Sequence, residues 1–296
     1  MSGAHPKYLW WNGRQMPWED ATIHVTEIGW STVGAIFEGI RAYWNPDHGE
    51  AYIFRLREHM ERFSQSMKLV RLDQEYTTDQ LIDAIVQLVR DNEHREDVYI
   101  RPLAYRSGDG KSFSGFGSEA SILINTRPNP SHLLTGKTQH ACVSSWTRIS
   151  DNVMPPRVKN LSNYRNGQLA NMEAAANGYD TAILLNAQGK VAEGPGACLM
   201  LVRNGKLITP DVTSSILESI TRDALLTMAR QDLGAGGGRA TGRPDRALRR
   251  RRGLLLRHGG RDHADRLGRP LSGGRRHARP DHPPPGAALP RRPARH

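Results

Sequence analysis

The first 130 residues carry apolar positions in two alternating rhythms. Leu56 to Leu69 places Met60, Phe63 and Met67 at helical spacing, and Thr78 to Arg90 sets Leu81, Ile82, Ile85 and Leu88 on one stripe, so both segments are predicted helices. Short β-prone or alternating runs surround them at Lys7 to Trp11, Thr22 to Val25, Glu50 to Phe54, Val98 to Tyr105 and Ala120 to Asn125. The turn Asn12-Gly13 is a hairpin signal between the first two runs. Thr32 to Tyr43 leads into the third.

A break is expected at Thr126 to Gly136, where Arg127-Pro128-Asn129-Pro130 disfavours helix and extends the chain. Beyond it the pattern predicts a strand at Ala141 to Trp146, a helix over Gly167 to Asn177 and a strand at Thr181 to Leu185. A turn follows at Asn186 to Gly189. Strands at Ala197 to Val202 and Leu207 to Thr209 flank the turn Asn204-Gly205. A last helix, Thr221 to Leu233, has Gly234 as its stop, Ser219 or Thr221 as cap, and Asp223 complementing its dipole. The expected architecture is mixed α/β (α+β) in two domains, 1–130 and 137–234, joined by a linker at 131–136 and followed by a tail at 235–296.

Charge changes the picture of the tail. The formal net charge is +11, which taken whole points toward nucleic acid or an anionic membrane. Residues 235–296 hold 17 Arg, 4 Asp and neither Lys nor Glu, a net of +13, so the other 234 residues net −2. The tail uses nine residue types and includes 8 Pro and 11 Gly, which break any helix or strand longer than a turn or two. Its residue types can all be encoded by codons rich in G and C, whereas Lys, Ile, Phe, Tyr, Asn and Met cannot. We therefore expect a disordered or frameshifted segment in preference to a basic nucleic-acid arm, which would ordinarily mix Lys with Arg. Two cysteines, Cys142 and Cys198, make no disulfide framework. The N-terminus lacks a signal-like apolar run, and no window approaches about 18 consecutive apolar residues, so a cytoplasmic protein without a membrane span is expected.

Candidate chemistry is weak residue by residue. Lys159 is one lysine in a polar loop. Glu193, in Val191-Ala192-Glu193-Gly194-Pro195-Gly196, could be a turn carboxylate. The start of the last helix is a ready anion site, because its first N–H groups lack intrahelical acceptors. Arg41 and Arg62 read alone as surface charges.

In order, however, Tyr8-Leu-Trp-Trp-Asn-Gly, Trp18-Glu-Asp-Ala, Phe37-Glu-Gly-Ile-Arg-Ala-Tyr, Phe54-Arg-Leu-Arg-Glu-His-Met-Glu-Arg, Tyr99-Ile-Arg-Pro-Leu, Lys159-Asn-Leu-Ser-Asn-Tyr, Gly178-Tyr-Asp, Glu193-Gly-Pro-Gly and Ile220-Thr-Arg-Asp form a collinear set. Over residues 7 to 234 the chain resembles the fold-type IV pyridoxal-phosphate enzymes (class-IV aminotransferases), most closely the branched-chain amino acid aminotransferases. The resemblance implies pyridoxal 5′-phosphate as cofactor, Lys159 as the lysine that bonds it and shuttles the proton, and Glu193 as the carboxylate facing the pyridine nitrogen. It implies Tyr164 beside the ring hydroxyl, Leu217 against the ring face, and Arg62 with the Ile220 and Thr221 N–H groups on the phosphate.

Phe37, Arg41, Tyr99 and Arg101 match substrate-pocket positions, where apolar walls suit leucine, isoleucine or valine and Arg101 suits the distal carboxylate of glutamate. The implied partners are small amino acids and 2-oxo acids, with 2-oxoglutarate as acceptor, in a homodimer and without metal or nucleic acid. Related class-IV activities, D-amino acid aminotransferase and aminodeoxychorismate lyase, share the Lys/Glu pair, and Tyr99-x-Arg101 favours the branched-chain type. The chain departs from the family at Ser31-Thr32-Val33-Gly34, at Cys198 and in the tail. Family members carry a phosphate-binding Gly-Thr turn where this tail stands, so a catalytically defective product is the other expectation.

Overall fold

The computed structural model describes residues 5–28, 30–107, 120–132, 135–232 and 252–257, all within one compact unit spanning residues 1–261. Its first part is a seven-stranded antiparallel sheet. The strands are β1 (Tyr8–Trp11), β2 (Arg14–Pro17), β3 (Ile36–Phe37), β4 (Ile40–Asn45), β5 (Glu50–Ile53), β6 (Val98–Arg106) and β7 (Ala120–Pro128), in the order β2-β1-β7-β6-β4-β5 with β3 on β6. Helices α1 (Leu56–Leu69) and α2 (Thr78–Asp91) lie against one face.

Side-chain alternation along β6 makes that face. Val98, Ile100 and Ala104 join Ile40, Ile122 and Ile124 in a core with Met60, Phe63 and Met67 of α1 and Leu81, Ile85 and Leu88 of α2. Ile82, expected on the same stripe, is only partly buried at its margin. Tyr99 and Arg101 alternate onto the opposite face, which turns toward the cleft described below. Thr77 and Gln80 close a reciprocal capping box at the start of α2.

The turn at Asn12-Gly13 forms as expected, with both residues at positive φ. It returns the chain at once into β2, pairing Trp11 with Arg14 and Tyr8 with Pro17. The expected strand at Thr22 to Val25 is therefore not found; Val25–Glu27 is a 3₁₀ turn. Arg14–Pro17 gave no apolar alternation because it is a largely exposed edge strand, the place where a proline is tolerated. At the other side of the sheet, β7 runs through Arg127 to Pro128, opposite Tyr99 and Val98. The extended backbone that proline imposes continues the ladder here, so the expected linker begins later than Thr126.

The second part is a βαβ unit. Parallel strands β8 (Ala141–Thr147) and β9 (Thr181–Leu185) are crossed by α3 (Asn163–Ala176), whose Ala170 and Ala174 pack on Ala182 and Leu184. The helix starts one turn before the expected Gly167, because Asn163 to Asn166 carry no apolar stripe to announce it. Gly167 faces the carbonyl of Pro195, where a Cβ would lie 2.3 Å from the oxygen. Strands β10 (Ala197–Arg203) and β11 (Lys206–Ile208) form the expected hairpin over Asn204-Gly205, and α4 (Ile220–Asp232) follows. Ser219 caps α4, its Oγ accepting from the Arg222 N–H at 3.2 Å.

One tail segment corrects the expectation that Pro and Gly would exclude strand there. Arg252–Arg257 forms β12, paired antiparallel with β10 from Ala197↔Arg257 to Val202↔Arg252. It contains the tail's three consecutive leucines, which give a strand the local apolar content that its flanks lack. The remaining tail residues, and the expected stop at Gly234, lie outside the described residues. No helix among the described residues is long and apolar enough to cross a membrane.

Candidate active site

A cleft of about 560 Å³, counted with its open mouth, lies where the loop before α3, the loop after β9 and the start of α4 meet α1. Lys159, Tyr164, Glu193, Leu217, Ile220, Thr221 and Arg62 all line it. Sequence order had scattered these residues over 160 positions.

Lys159 sits in the loop before α3, and that loop is stitched to the end of the large sheet. Its carbonyl accepts from the Phe37 N–H at 3.0 Å, the Leu161 N–H donates to the Ala35 carbonyl at 2.8 Å, and Asn160 bridges Ile36. Backbone on both sides of the lysine is thereby fixed, and the side chain projects into the cleft. Its Nζ donates to the Tyr164 hydroxyl at 2.8 Å and lies 4.8 Å from the Phe37 ring centre. Tyr164 is in the first turn of α3, and its ring meets Phe37 edge-on at 4.9 Å.

Glu193 is buried in the wall of the cleft. Arg148, just past the end of β8, gives its Nε to Glu193 Oε1 at 3.0 Å and places Nη2 2.8 Å from the same oxygen. The Leu217 N–H donates to Oε2 at 3.2 Å. Burial pushes the Glu193 carboxyl up, against the pull of Arg148 and the Leu217 N–H. Arg148 is placed by the parallel ladder, its N–H donating to the Leu185 carbonyl at 2.8 Å.

A cationic group at a helix start also lines the cleft. Arg62 of α1 reaches the segment before α4, donating Nη1 to the Glu218 carbonyl at 2.7 Å. Its Nε and Nη2 grip Glu38 at 2.8 and 2.7 Å. Glu38 also contacts His59 Nδ1 at 2.8 Å, and Arg62 with His59 holds its carboxyl well below the usual carboxylate range despite complete burial. Thr221 Oγ1 is buried with no hydrogen-bond partner among the described residues. A hydroxyl of this kind, beside an arginine and the unbonded N–H groups of a helix start, fits a phosphate-sized anion.

The substrate-pocket candidates are arranged unevenly. Phe37 packs beside Lys159, and the Arg101 guanidinium carbon lies 5.6 Å from the Phe37 ring centre. Tyr99 presses on Gly39, which lines the cleft; a Cβ at Gly39 would sit 2.6 Å from the Tyr99 hydroxyl. None of Phe37, Arg41, Tyr99 and Arg101 is itself among the residues lining the cleft; Phe37 and Tyr99 touch residues that are, whereas Arg41 is held elsewhere. Its guanidinium donates to the Asn129 carbonyl and lies 6.0 Å from the Tyr43 ring centre.

Glu38, His59, Arg148 and Ser219 were not assigned to the site from sequence. Glu38 and His59 stand inside matched motifs and could have been raised from them. Arg148 carries no local signal, since its partner is 45 positions away. Cys198 also lines the cleft, its thiol pushed up by burial.

Residues 35–235 match the family described as amino-transferase class IV. The branched-chain-amino-acid aminotransferase of Escherichia coli K12 is 35% identical over 235 residues, covering 78% of this chain and 75% of that protein. Among solved structures, the branched-chain amino acid aminotransferase of Thermobaculum terrenum in its PLP form is 52% identical with a TM-score of 0.79, covering 86% of this chain and 83% of the other. A second solved branched-chain amino acid aminotransferase, complexed with N-(5′-phosphopyridoxyl)-L-glutamate and from the source abbreviated T.th., is 36% identical with a TM-score of 0.70, covering 77% and 74%. With the motifs, the fold and the cleft all in agreement, the chain belongs to the class-IV aminotransferases, in the branched-chain amino acid aminotransferase group.

Proposed function

We propose that this cleft holds pyridoxal 5′-phosphate and transfers amino groups between leucine, isoleucine or valine and 2-oxoglutarate. The observation that carries the reading is the convergence of one lysine amine, one buried carboxylate and one arginine-plus-helix anion site on a single cleft. When bound, the cofactor supplies an aldehyde for the amino group and an electron-withdrawing ring that makes the substrate Cα–H acidic.

Lys159 would hold the aldehyde and, once the substrate amine has displaced it, would serve as the free amine that moves the proton at Cα. Tyr164, hydrogen-bonded to Lys159 Nζ, orients that amine and would stand beside the ring hydroxyl. Glu193 takes the ring-nitrogen end, where a cationic N–H would offset the cost of burying its charge, and Arg148 with Leu217 N–H keeps it in place. Leu217, which lines the cleft, would pack against the ring, and Arg62, the Thr221 hydroxyl and the Ile220 and Thr221 N–H groups would hold the phosphate.

We assign the substrate wall to residues 1–130, through Phe37, Tyr99 and Arg101, with Arg41 supporting from outside the cleft. Cofactor binding goes to 137–234, with Arg62 of α1 reaching in from 1–130. The relative solved with phosphopyridoxyl-glutamate supports glutamate and 2-oxoglutarate as one substrate pair. A homodimer acting in the cytoplasm completes the proposal.

The test is chemical. The full chain is incubated with pyridoxal phosphate, reduced with borohydride and digested; a pyridoxyl group is expected on the peptide bearing Lys159 and none in Lys159→Ala. Amino donors are then screened with 2-oxoglutarate, and glutamate is expected from leucine, isoleucine and valine. Label on other lysines alone, or no label, overturns the proposal.

A further inference from the structure

Arg62 is gripped more heavily than a phosphate ligand needs to be. Three of its five N–H groups point at protein oxygens, two at Glu38 and one at the Glu218 carbonyl, which leaves one on each of Nη1 and Nη2. Glu38 itself is fully buried and does not move freely. Its N–H donates to the Pro102 carbonyl at 3.0 Å, and its Oε2 is held by His59 Nδ1 as well as by Arg62. His59 and Arg62 are one turn apart on α1, so the helix presents both to the same carboxylate.

Electrostatics gives only part of the reason for this carboxylate, which neutralises a largely buried arginine. A negative charge 2.7 Å from the arginine offsets that arginine's attraction for a second anion, and burying it costs solvation. Geometry gives the rest of the reason. Side-on, two-point contact with a carboxylate fixes the plane and rotation of a guanidinium, which a long arginine side chain otherwise loses to rotamer freedom. With Nε and Nη2 bonded to Glu38 and Nη1 tied to the residue before Ser219, the guanidinium and its two remaining N–H groups are held beside the start of α4.

We propose that Glu38 is a positioning residue for the cofactor phosphate, acting through Arg62 and itself steadied by His59. The inference rests on the reading of the cleft as a pyridoxal-phosphate site. It implies that the site gives up some net positive charge in exchange for a preset donor geometry.

The experiment is a double-mutant cycle on the full chain, stripped of cofactor and titrated with pyridoxal phosphate by equilibrium dialysis, with the 31P resonance of the bound phosphate as second readout. Glu38→Gln is expected to weaken binding about tenfold, the factor carried by one hydrogen bond to a charged group at the low end of its range, and to shift the 31P resonance. Arg62→Met is expected to weaken binding at least as much. Glu38→Gln combined with Arg62→Met, which removes both buried partners together, is expected to bind no worse than Arg62→Met alone.

Unchanged or tighter binding by Glu38→Gln overturns the proposal, as does a Glu38→Gln effect that persists without Arg62. If Glu38→Gln does not fold, Glu38→Asp, which keeps the charge but withdraws the carboxylate by one methylene, takes its place with the same expected weakening. Failure of the unmutated chain to take up pyridoxal phosphate overturns the reading of the cleft, and the inference with it. Uptake by the unmutated chain with no Glu38 effect overturns the inference alone.

Discussion

Replacing Arg148 with methionine isolates what a buried cation does for Glu193. The two side chains are only 8% and 7% exposed, with both Nε and Nη2 of Arg148 directed at Oε1. Methionine preserves most of the apolar stem, so the lost packing is small and the lost charge dominates. Glu193 would keep one donor, the Leu217 N–H at 3.2 Å. Removing one partner of a buried ion pair costs about 3–5 kcal/mol.

The stranded carboxyl has a way to limit that loss, which is to bind a proton. Its pKa already lies above the usual carboxylate range through burial, and without Arg148 it rises further. A group whose folded pKa is raised contributes stability that is present below its unfolded pKa and lost as pH rises through the folded value. The penalty of Arg148→Met should therefore be small near pH 5 and grow toward pH 8. Urea unfolding of the cofactor-free chains at both pH values measures it, and adding Glu193→Gln should recover most of the loss at pH 8. A deficit below about 1 kcal/mol, a deficit independent of pH, or simple additivity with Glu193→Gln would refute the reasoning. In the loaded enzyme the same change removes the group that holds the carboxylate in place at the ring-nitrogen end, so kcat should fall more than KM rises.

Two further outcomes follow from the geometry. Gly39→Ala puts a Cβ 2.6 Å from the Tyr99 hydroxyl and about 3 Å from its ring, forcing the tyrosine off the cleft wall; KM for the amino donor should rise about tenfold at a stability cost of about 1–3 kcal/mol, and an unchanged KM in steady-state kinetics would count against Tyr99 as a wall residue. The Glu38 carboxyl, held below its unfolded pKa by Arg62 and His59, contributes stability above the unfolded value that is lost as pH falls toward the folded one. The stability gap between the unmutated chain and Glu38→Gln should accordingly shrink below about pH 4, as read by denaturation at stepped pH, whereas a gap that widens in acid would contradict the assignment.

The helices of the first part were legible because burial selects their residues directly. Met60, Phe63 and Met67 are each fully buried at the spacing that announces α1, and Leu81, Ile85 and Leu88 do the same for α2. β2 was illegible for the converse reason: Arg14 to Pro17 is an exposed edge whose place is set by the Asn12-Gly13 turn, and such a strand needs no apolar face. The site followed the same division. Lys159, Glu193 and Arg62 could be named only through motifs matched in order, since each is an ordinary residue in its local window. Arg148 could not be named at all, because parallel pairing of β8 with β9, not any local pattern, brings it to Glu193.

The two buried glutamates of the cleft show how one residue type is set to opposite ends by its neighbours. Both lose water almost completely, and burial alone would raise each. Glu38 meets Arg62 at both oxygens and His59 at one, enough to hold it ionised. Glu193 meets Arg148 at one oxygen and a single backbone N–H at the other, which leaves its carboxyl raised. An ionised carboxylate with all its partners inside the protein can orient an arginine permanently, which suits an anion site that must not change during turnover. A carboxyl left short of one cationic partner gains most from a further N–H⁺ donor arriving with the ligand, which suits the end of the cleft where a protonated ring nitrogen is needed. On the proposed reading, the carboxylate with more donors stands behind the phosphate end of the cleft and the one with fewer stands at the ring-nitrogen end.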